Sequence, residues 1–120
     1  IVDDCAKFVE REIRRGKTYD AIIMDPPSYG RGPNGEIWKI EDQLYPLIIK
    51  CMDILDDDPL FFLVNSYTTG FSSTALYNIL HSTLLKKYPK GFIEAGENGL
   101  PITRTQTILP CGIYGRWVSK

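Results

Sequence analysis

The sequence predicts a doubly wound α/β fold, with a mostly parallel sheet between two helical layers and one antiparallel strand near the carboxyl end. Helical patterns alternate with short apolar runs in the order helix, strand, helix, strand, helix, strand, strand. Such alternation is typical of parallel βαβ units. The last two strand candidates are separated by only about a dozen residues with no helical pattern, so the final strand is expected to be antiparallel. The composition, 43% hydrophobic and 24% charged, is that of an ordinary globular domain.

The first helix is predicted over residues 6–15. Asp3 or Asp4 can cap its amino end, and Gly16 can stop it at the carboxyl end. Its apolar stripe is formed by Ala6, Val9 and Ile13. Residues 19–24 follow as a short apolar run suited to a buried parallel strand.

A glycine-rich loop, residues 29–35, leads to the second helical pattern. Its apolar positions follow helical spacing: Leu44, Leu47, Ile48, Cys51 and Leu55. Because Pro46 belongs in a first turn, the regular helix is predicted to begin near Tyr45. Three aspartates and Pro59 are expected to end it.

The carboxy-terminal half repeats the strand and helix pattern. Residues 60–64 are predicted to be a buried strand that breaks at Asn65 and Ser66. Ser72 or Ser73 then caps a helix whose inner side is formed by Leu76, Ile79, Leu80 and Leu84. Residues 91–95 and 107–117 are the last strand candidates, with a predicted loop at residues 96–105.

Charge and cysteine content give information on partners and compartment. Residues 1–60 carry 8 Lys or Arg against 13 Asp or Glu, and residues 61–120 carry 6 against 2. The basic second half could face a phosphate backbone, although a solvated surface is the simpler interpretation. Cys5, Cys51 and Cys111 form no CxxC pair, and His81 is the only histidine. We therefore expect no metal site and a reduced, cytoplasmic setting.

Two further features concern membranes and the start of the chain. No apolar run approaches the roughly 18 residues of a membrane span, so no membrane partner is expected. The chain opens on IVDD, which resembles the end of a strand already under way. We therefore expect a fragment of a longer enzyme.

The segment Asp25-Pro26-Pro27-Ser28-Tyr29 follows the first strand directly. Ligands of open α/β sheets bind beyond the carboxyl ends of strands. The Asp25 carboxylate and the carbonyl of the next proline can both accept hydrogen bonds from an amino group, with the prolines stiffening the turn. The ring of Tyr29 can stack on a flat base, a contact worth roughly 1–3 kcal/mol. A proline after a strand is often only a stop, and a strand-end aspartate can instead hold magnesium in nucleotide hydrolases.

The longer string DPPSYGRGPNGEIWKIEDQL, preceded by DDCAKFVEREIRRGKTYDAIIM, closely resembles a bacterial family of class I S-adenosylmethionine-dependent methyltransferases. The nearest relatives of that family include large-subunit ribosomal RNA methyltransferases. The resemblance covers nearly the whole chain and is strongest over residues 4–44. It implies a Rossmann-like three-layer fold, of which residues 1–120 would be the carboxy-terminal half, an incomplete domain. It also implies S-adenosylmethionine as cofactor and RNA, ribosomal RNA above all, as substrate.

The resemblance assigns roles to particular residues. Asp25, Pro26, Pro27 and Tyr29 match the fourth methyltransferase motif and would line the target pocket, with Asp25 also bordering the cofactor. Asp4 and Cys5 match the third motif. Asp4 would accept a hydrogen bond from the adenine amino group, and the Cys5 backbone N–H would meet the ring. Asp4 could instead be a plain helix cap, or do both.

Four further residues are predicted to bind substrate: Ser28, Arg31, Asn65 and Tyr67. Arg31 flanks the motif loop and could reach RNA phosphates, whereas Asn65 and Tyr67 follow the next strand and would face the same pocket. Trp38 is expected to be a packing residue of the loop. No cysteine follows the prolines or the next strand, so a nitrogen acceptor is predicted rather than carbon 5 of a pyrimidine.

Two alternatives remain open on the sequence. One is a non-catalytic RNA-binding or assembly module that keeps a degenerate methyltransferase fold. The other is a nucleotide hydrolase with magnesium on Asp25, although no GxxxxGK[ST] occurs. No GxGxG occurs either, and in the family that loop and the acidic residue that grips the cofactor ribose belong to earlier strands. The isolated chain is therefore expected to be inactive.

Overall fold

Three helices and six strands make up the computed structural model, which describes residues 1–120. The helices are α1 (Cys5–Arg15), α2 (Ile40–Met52) and α3 (Ser73–Leu80), and a π-helical turn, His81–Leu85, continues α3. The strands are β1 (Ala21–Met24), β2 (Tyr29–Arg31), β3 (Ile37–Lys39), β4 (Phe61–Ser66), β5 (Phe92–Ile102) and β6 (Thr107–Val118). None of the helices has the length and apolar character that crossing a bilayer requires.

Four strands form the main sheet in the order β1-β4-β6-β5. β1 pairs with β4 in parallel, and β6 is antiparallel to both β4 and β5. The predicted α/β fold, in which one strand near the carboxyl end is reversed, is therefore confirmed. The sheet is mixed rather than mostly parallel in its pairings, because only the β1–β4 pair is parallel. β2 and β3 form a separate antiparallel hairpin between β1 and α2.

The helices pack on one face of the main sheet, which we call the covered face. Phe62, Val64 and Trp117 point to this face and join a single core cluster with buried residues of all three helices. The opposite face, called the open face, carries Ile23, which is 65% exposed, beside Leu63. Residues 1–120 thus build two layers, and the third layer that we expected is not formed by them.

α1 begins and ends where the sequence indicates. The Asp4 carboxylate caps it by accepting a backbone N–H of the first turn at 3.0 Å, and Gly16 ends it in the left-handed region at φ 63°. The predicted stripe is partly wrong, because Glu12 is buried while Ile13 is 39% exposed. The Tyr19 hydroxyl donates to the Glu12 carboxylate at 2.6 Å, which gives the buried charge a partner.

α2 begins at Ile40, before the predicted start near Tyr45, and Pro46 lies inside the helix. A proline there removes one intrahelical hydrogen bond. The carbonyl left free is that of Asp42, an exposed residue that water can reach. The buried side of α2 consists of Ile40, Leu44, Ile48, Cys51 and Met52. Leu55 lies beyond the helix end.

Two of the strand predictions need correction. β4 includes Asn65 and Ser66, where we predicted a break, because β6 pairs with both residues. Leu60 precedes the strand and is 58% exposed rather than buried. The predicted loop at residues 29–35 contains β2, which pairs with β3.

The third helix follows its prediction closely. Ser72 caps α3 by accepting the Ala75 backbone N–H at 3.1 Å. Leu76, Leu80 and Leu84 are fully buried on its inner side. Leu84 reaches the core from the π-helical turn.

β5 and β6 continue past the end of β4 as a two-stranded arm, residues 97–112. β4 stops pairing at Ser66 with Ile113, whereas β5 and β6 pair as far as Ile102 with Thr107. Every residue from 99 to 111 is exposed. The loop predicted at residues 96–105 is therefore mostly strand, because pairing with β6 overrides the poor strand propensity of its glycines and proline.

Candidate active site

A cavity of about 900 Å³ opens along the free edge of β1. Asp4 and Cys5, at the amino end of α1, line one part of it. Asp25, Pro26 and Pro27, directly after β1, line another part. The fold thus brings together the residues that the resemblance assigned to the cofactor and those it assigned to the acceptor.

Two acceptor groups of the motif loop are free. The Asp25 side chain is exposed and makes no hydrogen bond or ion pair. The Pro26 carbonyl oxygen accepts no hydrogen bond from the protein either. By contrast, the Pro27 carbonyl accepts a hydrogen bond of 2.6 Å from the Trp38 indole N–H. The loop therefore offers one carboxylate and one carbonyl to a donor in the cavity.

Ser28 ties the motif loop to two neighbouring elements. Its carbonyl accepts the Ile40 backbone N–H at 3.1 Å, at the start of α2. Its hydroxyl lies 2.7 Å from that of Thr68, which in turn receives a hydrogen bond of 3.1 Å from buried Ser66. Ser28 is thus engaged in holding the loop, whereas we predicted a contact with substrate.

Three residues that position the loop were missed or given little weight in the sequence: Trp38, Ser66 and Thr68. Trp38 packs against the core, as expected, and its hydrogen bond to Pro27 adds a second role. Ser66 and Thr68 lie 40 positions or so from Ser28 in sequence, a separation at which no local pattern indicates contact. Hydroxyls clustered after a buried strand were the one available signal.

None of the four predicted substrate-binding residues, Ser28, Arg31, Asn65 and Tyr67, lines this cavity, and neither does Tyr29. Tyr29 is 50% exposed at the start of β2, and its hydroxyl accepts a hydrogen bond of 2.9 Å from Arg31. Arg31 lines a second, neighbouring cavity, which shares Asp4 and Trp38 with the first. Tyr67 is 62% exposed just after β4, and Asn65 lies one register position beyond the last β1–β4 pair.

Comparison with known proteins adds the fold family. No protein-family model matches the chain, and no curated protein matches it. Among solved structures, an S-adenosylmethionine-dependent methyltransferase of Agrobacterium tumefaciens is 30% identical with a TM-score of 0.85, over 98% of this chain and 38% of that one. A protein described as a methyltransferase, SMU.776, determined with S-adenosylhomocysteine, is 18% identical with a TM-score of 0.65. One from Streptococcus mutans has the same identity and a TM-score of 0.61. Both are matched over 98% of this chain and 30% of theirs.

The chain has the fold of S-adenosylmethionine-dependent methyltransferases. It spans between 30% and 38% of the length of these relatives.

The amino end of α1 carries two hydrogen-bonding groups without a partner in the protein. One oxygen of Asp4 caps the helix, and the other carboxylate oxygen makes no hydrogen bond. The Cys5 backbone N–H is also without an acceptor, as is usual for a first helical turn. One free acceptor and one free donor, side by side in an apolar cavity, suit the amino group and a ring nitrogen of adenine.

All three cysteines of the chain are free thiols. Cys51 is buried on α2, and its burial raises the pKa of the thiol to about 11, so it stays protonated at neutral pH. Cys5 and Cys111 are exposed. Cys111 lies on the arm beside Gly112, whose position contacts Ser66 and Tyr67, so it is near the carboxyl edge of the sheet. No group of three or more His, Cys, Asp or Glu side chains is arranged to hold a metal ion.

Proposed function

We propose that the chain is the acceptor-binding part of an S-adenosylmethionine-dependent methyltransferase that methylates a base nitrogen of RNA, with ribosomal RNA as the preferred substrate. One observation carries the reaction class. The Asp25 carboxylate and the Pro26 carbonyl, two free acceptors of the motif loop, border the same cavity as the free groups of Asp4 and Cys5.

Asp25 and Pro26 would orient the acceptor amine. Two hydrogen bonds, one to each oxygen, fix both N–H bonds of an amino group, so that its lone pair points out of the base plane. S-adenosylmethionine, when bound, would supply the methyl group, and the electron pair of the broken carbon–sulfur bond would remain on its sulfur. The Asp25 carboxylate favours the positive charge that develops on this nitrogen, and it can take the proton that the nitrogen then loses.

Several features support RNA as the substrate. Tyr29 and Tyr67 expose their rings at the carboxyl edge of the sheet, where bases could stack on them. Residues 61–120 carry an excess of positive charge, which favours a polyanion. The sequence of the motif region resembles that of ribosomal RNA methyltransferases. A cytoplasmic location follows from such a substrate.

The parts of the cofactor site that this chain lacks are expected in the rest of the polypeptide. The sequence contains no GxGxG, and the relatives with this fold are about three times as long. We propose that residues 1–120 are the carboxy-terminal half of the catalytic domain, and that a preceding segment holds the methionine end of the cofactor.

Substitution of Asp25 in the full-length protein tests this proposal. Asp25→Ala should slow single-turnover transfer of tritiated methyl groups to ribosomal RNA transcripts by about a hundredfold or more, because a charge-stabilising contact is lost. Affinity for S-adenosylmethionine should stay within a few-fold. Asp20→Ala, which removes an exposed carboxylate before β1, is the matched control and should leave the rate unchanged. Transfer by Asp25→Ala at the wild-type rate would eliminate Asp25 as a catalytic residue.

The rival function, a non-catalytic RNA-binding module, predicts a different result. The wild-type protein would then bind the transcripts, as seen in a filter-binding titration, but transfer no methyl group to any of them.

A further inference from the structure

Asn98, a residue of the arm, determines which atoms Asn65 offers to a ligand. The Asn98 side-chain nitrogen lies 3.2 Å from the Asn65 side-chain oxygen and 3.4 Å from the Ile113 carbonyl oxygen. A backbone carbonyl can only accept, so the Asn98 atom beside it must be the nitrogen. The Asn65 atom that it also contacts must then be the oxygen.

This arrangement leaves the amide nitrogen of Asn65 free. No acceptor in the protein receives either of its two hydrogens. Asn65 therefore faces the surroundings as a hydrogen-bond donor, although an unconstrained asparagine can present either end.

A ladder irregularity puts Asn98 in place for this contact. The β5–β6 register shifts between Glu97 and Gly99, so Asn98 lies within a bulge. Gly112, opposite, has a φ of 104° and approaches the Ser66 backbone so closely that a Cβ atom would overlap it. Bulges next to active sites commonly redirect a side chain.

Asn65 and Asp25 point to the same side of the sheet. Ile23 pairs with Leu63 in the parallel β1–β4 ladder. Side chains alternate along a strand, so Asn65 faces the open face, and Asp25, the first residue after β1, takes the matching position on a strand about 4.8 Å away. A free acceptor and a free donor thus occupy matching positions at the carboxyl edge.

We propose that Asp25 and Asn65 together read a nucleobase in which the exocyclic amino group stands beside a ring nitrogen without hydrogen. This inference rests on the proposed function and names its substrate class. Asp25 accepts from the amino group, and the Asn65 amide donates to the ring nitrogen. Adenine, cytosine and the minor-groove edge of guanine offer that pair, whereas uracil has no amino group. Asn65 is a specificity-determining residue, and Asn98 is the positioning residue that orients it.

Asn65→Asp in the full-length protein is the sharpest test, because it replaces the donor with an acceptor of the same shape. Single-turnover transfer to unmodified ribosomal RNA transcripts should fall about tenfold or more, as expected for loss of one arm of a two-point base contact. Asn98→Ala should cause a smaller loss, since the Asn65 amide is then free to rotate. Asn78→Asp, which adds the same charge at an exposed position of α3, is the matched control and should leave the rate within twofold.

Transcripts with a modified acceptor base separate recognition from a structural effect. When the ring nitrogen beside the amino group is replaced by C–H, the wild-type rate should fall to that of Asn65→Asp, and the variant should fall no further. The methylated nucleoside, identified by mass spectrometry after digestion, should be adenosine, cytidine or guanosine. Wild-type rates for Asn65→Asp, or methylated uridine as product, would overturn the inference while leaving methyl transfer to RNA intact. If the wild-type protein modifies no transcript, the proposed function fails and the inference fails with it.

Discussion

At the scale of single residues, the motif loop is held by contacts that do not use its reactive atoms. Trp38 occupies the Pro27 carbonyl, and Ser28 is bonded through both its backbone and its hydroxyl. Because these contacts hold the residues on the far side of the loop, the Asp25 carboxylate and the Pro26 carbonyl remain available on an anchored backbone. Such preorganisation reduces the cost of ordering the site during reaction.

Trp38→Phe should show how much this order contributes. The change replaces the indole with a smaller phenyl ring and removes the N–H that holds the Pro27 carbonyl. Transfer by the full-length protein should slow by about tenfold, since small misplacements near a reacting group are costly. The affinity for S-adenosylmethionine should not change.

Trp117→Phe is the control, because it removes an indole N–H bonded to the Tyr88 carbonyl on the covered face. It should lower the denaturation midpoint without slowing transfer by the folded protein. Equal rates in Trp38→Phe and wild type would show that the indole hydrogen bond is only structural.

Cys111 is the residue that decides between nitrogen and carbon as acceptor. Its thiol is exposed near the carboxyl edge, the setting that an attack on carbon 6 of a pyrimidine would need. The side chain, however, lies 3.3 Å from the Leu109 carbonyl of its own arm strand. We expect Cys111→Ala to keep transfer within twofold. Transcripts that contain 5-fluorocytidine should yield no covalent complex. An adduct that maps to Cys111 would replace the nitrogen acceptor with carbon 5.

At the scale of secondary-structure elements, α1 is anchored to the strand region by a buried carboxylate. The Tyr19 hydroxyl lowers the pKa of Glu12 through its hydrogen bond, with a smaller contribution from Arg15. A carboxyl whose pKa is lower in the folded than in the unfolded protein adds stability at pH values above its ordinary pKa of 4.5. This stability is lost as the pH falls through the lowered pKa of the folded protein.

Tyr19→Phe should therefore lower the urea midpoint at pH 7. The difference from wild type should shrink as the pH falls below the ordinary carboxyl pKa of 4.5 and through the lowered pKa of Glu12 in the wild-type protein. Urea titrations followed by far-ultraviolet circular dichroism at pH 7 and pH 3 measure the difference in midpoint. Tyr77→Phe, which removes another partly exposed hydroxyl, is the control. A Tyr19→Phe effect of equal size at pH 3 and pH 7 would contradict the electrostatic explanation.

Local sequence signals predicted some elements well and others poorly. The ends of α1 and the cap of α3 follow from Asp4, Gly16 and Ser72, whose effects depend only on adjacent backbone. The burial of Glu12 and the extent of β5 could not be predicted, because each depends on a partner distant in sequence. The motif loop was placed correctly at a strand end, but its hydrogen bonds to Trp38 and Thr68 come from tertiary packing.

Gly112 tests how the arm is joined to the sheet. Gly112→Ala combines a positive φ with overlap onto the Ser66 backbone, and it should destabilise the protein by about 2 kcal/mol or more. Gly35 also has a positive φ, 86°, but nothing lies within 4 Å of its missing Cβ. Gly35→Ala should cost only about 1 kcal/mol. Urea titration measures the loss of unfolding free energy in both variants, with backbone strain alone in Gly35→Ala and strain plus overlap in Gly112→Ala. Equal losses would show that the close approach of Gly112 to the Ser66 backbone is unimportant.

At the scale of the whole molecule, the two faces of the sheet differ in what they can support. The covered face holds the core, whereas Ile23 and Leu63 on the open face have no helix above them. The cavity along the edge of β1 is lined by α1, β1, the motif loop and part of α2, all of which lie within this chain. A ligand bound there would be contacted from part of its surface only.

The 120-residue chain alone should accordingly bind S-adenosylmethionine weakly. We expect a dissociation constant in the millimolar range or above, since a contact with part of the adenine end gives only about 4 kcal/mol. Isothermal titration calorimetry measures it directly. Micromolar affinity of the isolated chain would show that the main cofactor contacts lie within residues 1–120.

The arm also indicates where this polypeptide can tolerate insertions. Its tip, Thr103 to Gln106, is exposed and makes hydrogen bonds only within the arm, and ten register pairs connect β5 to β6 behind it. A peptide inserted at the tip lengthens only the loop between β5 and β6, and each doubling of loop length costs only about 0.6 kcal/mol of loop-closure entropy. Insertions, nicks or new chain ends at this position therefore leave the sheet and the motif loop intact. Homologous chains can diverge in length at the tip while the bulge at Asn98 keeps its place beside the site.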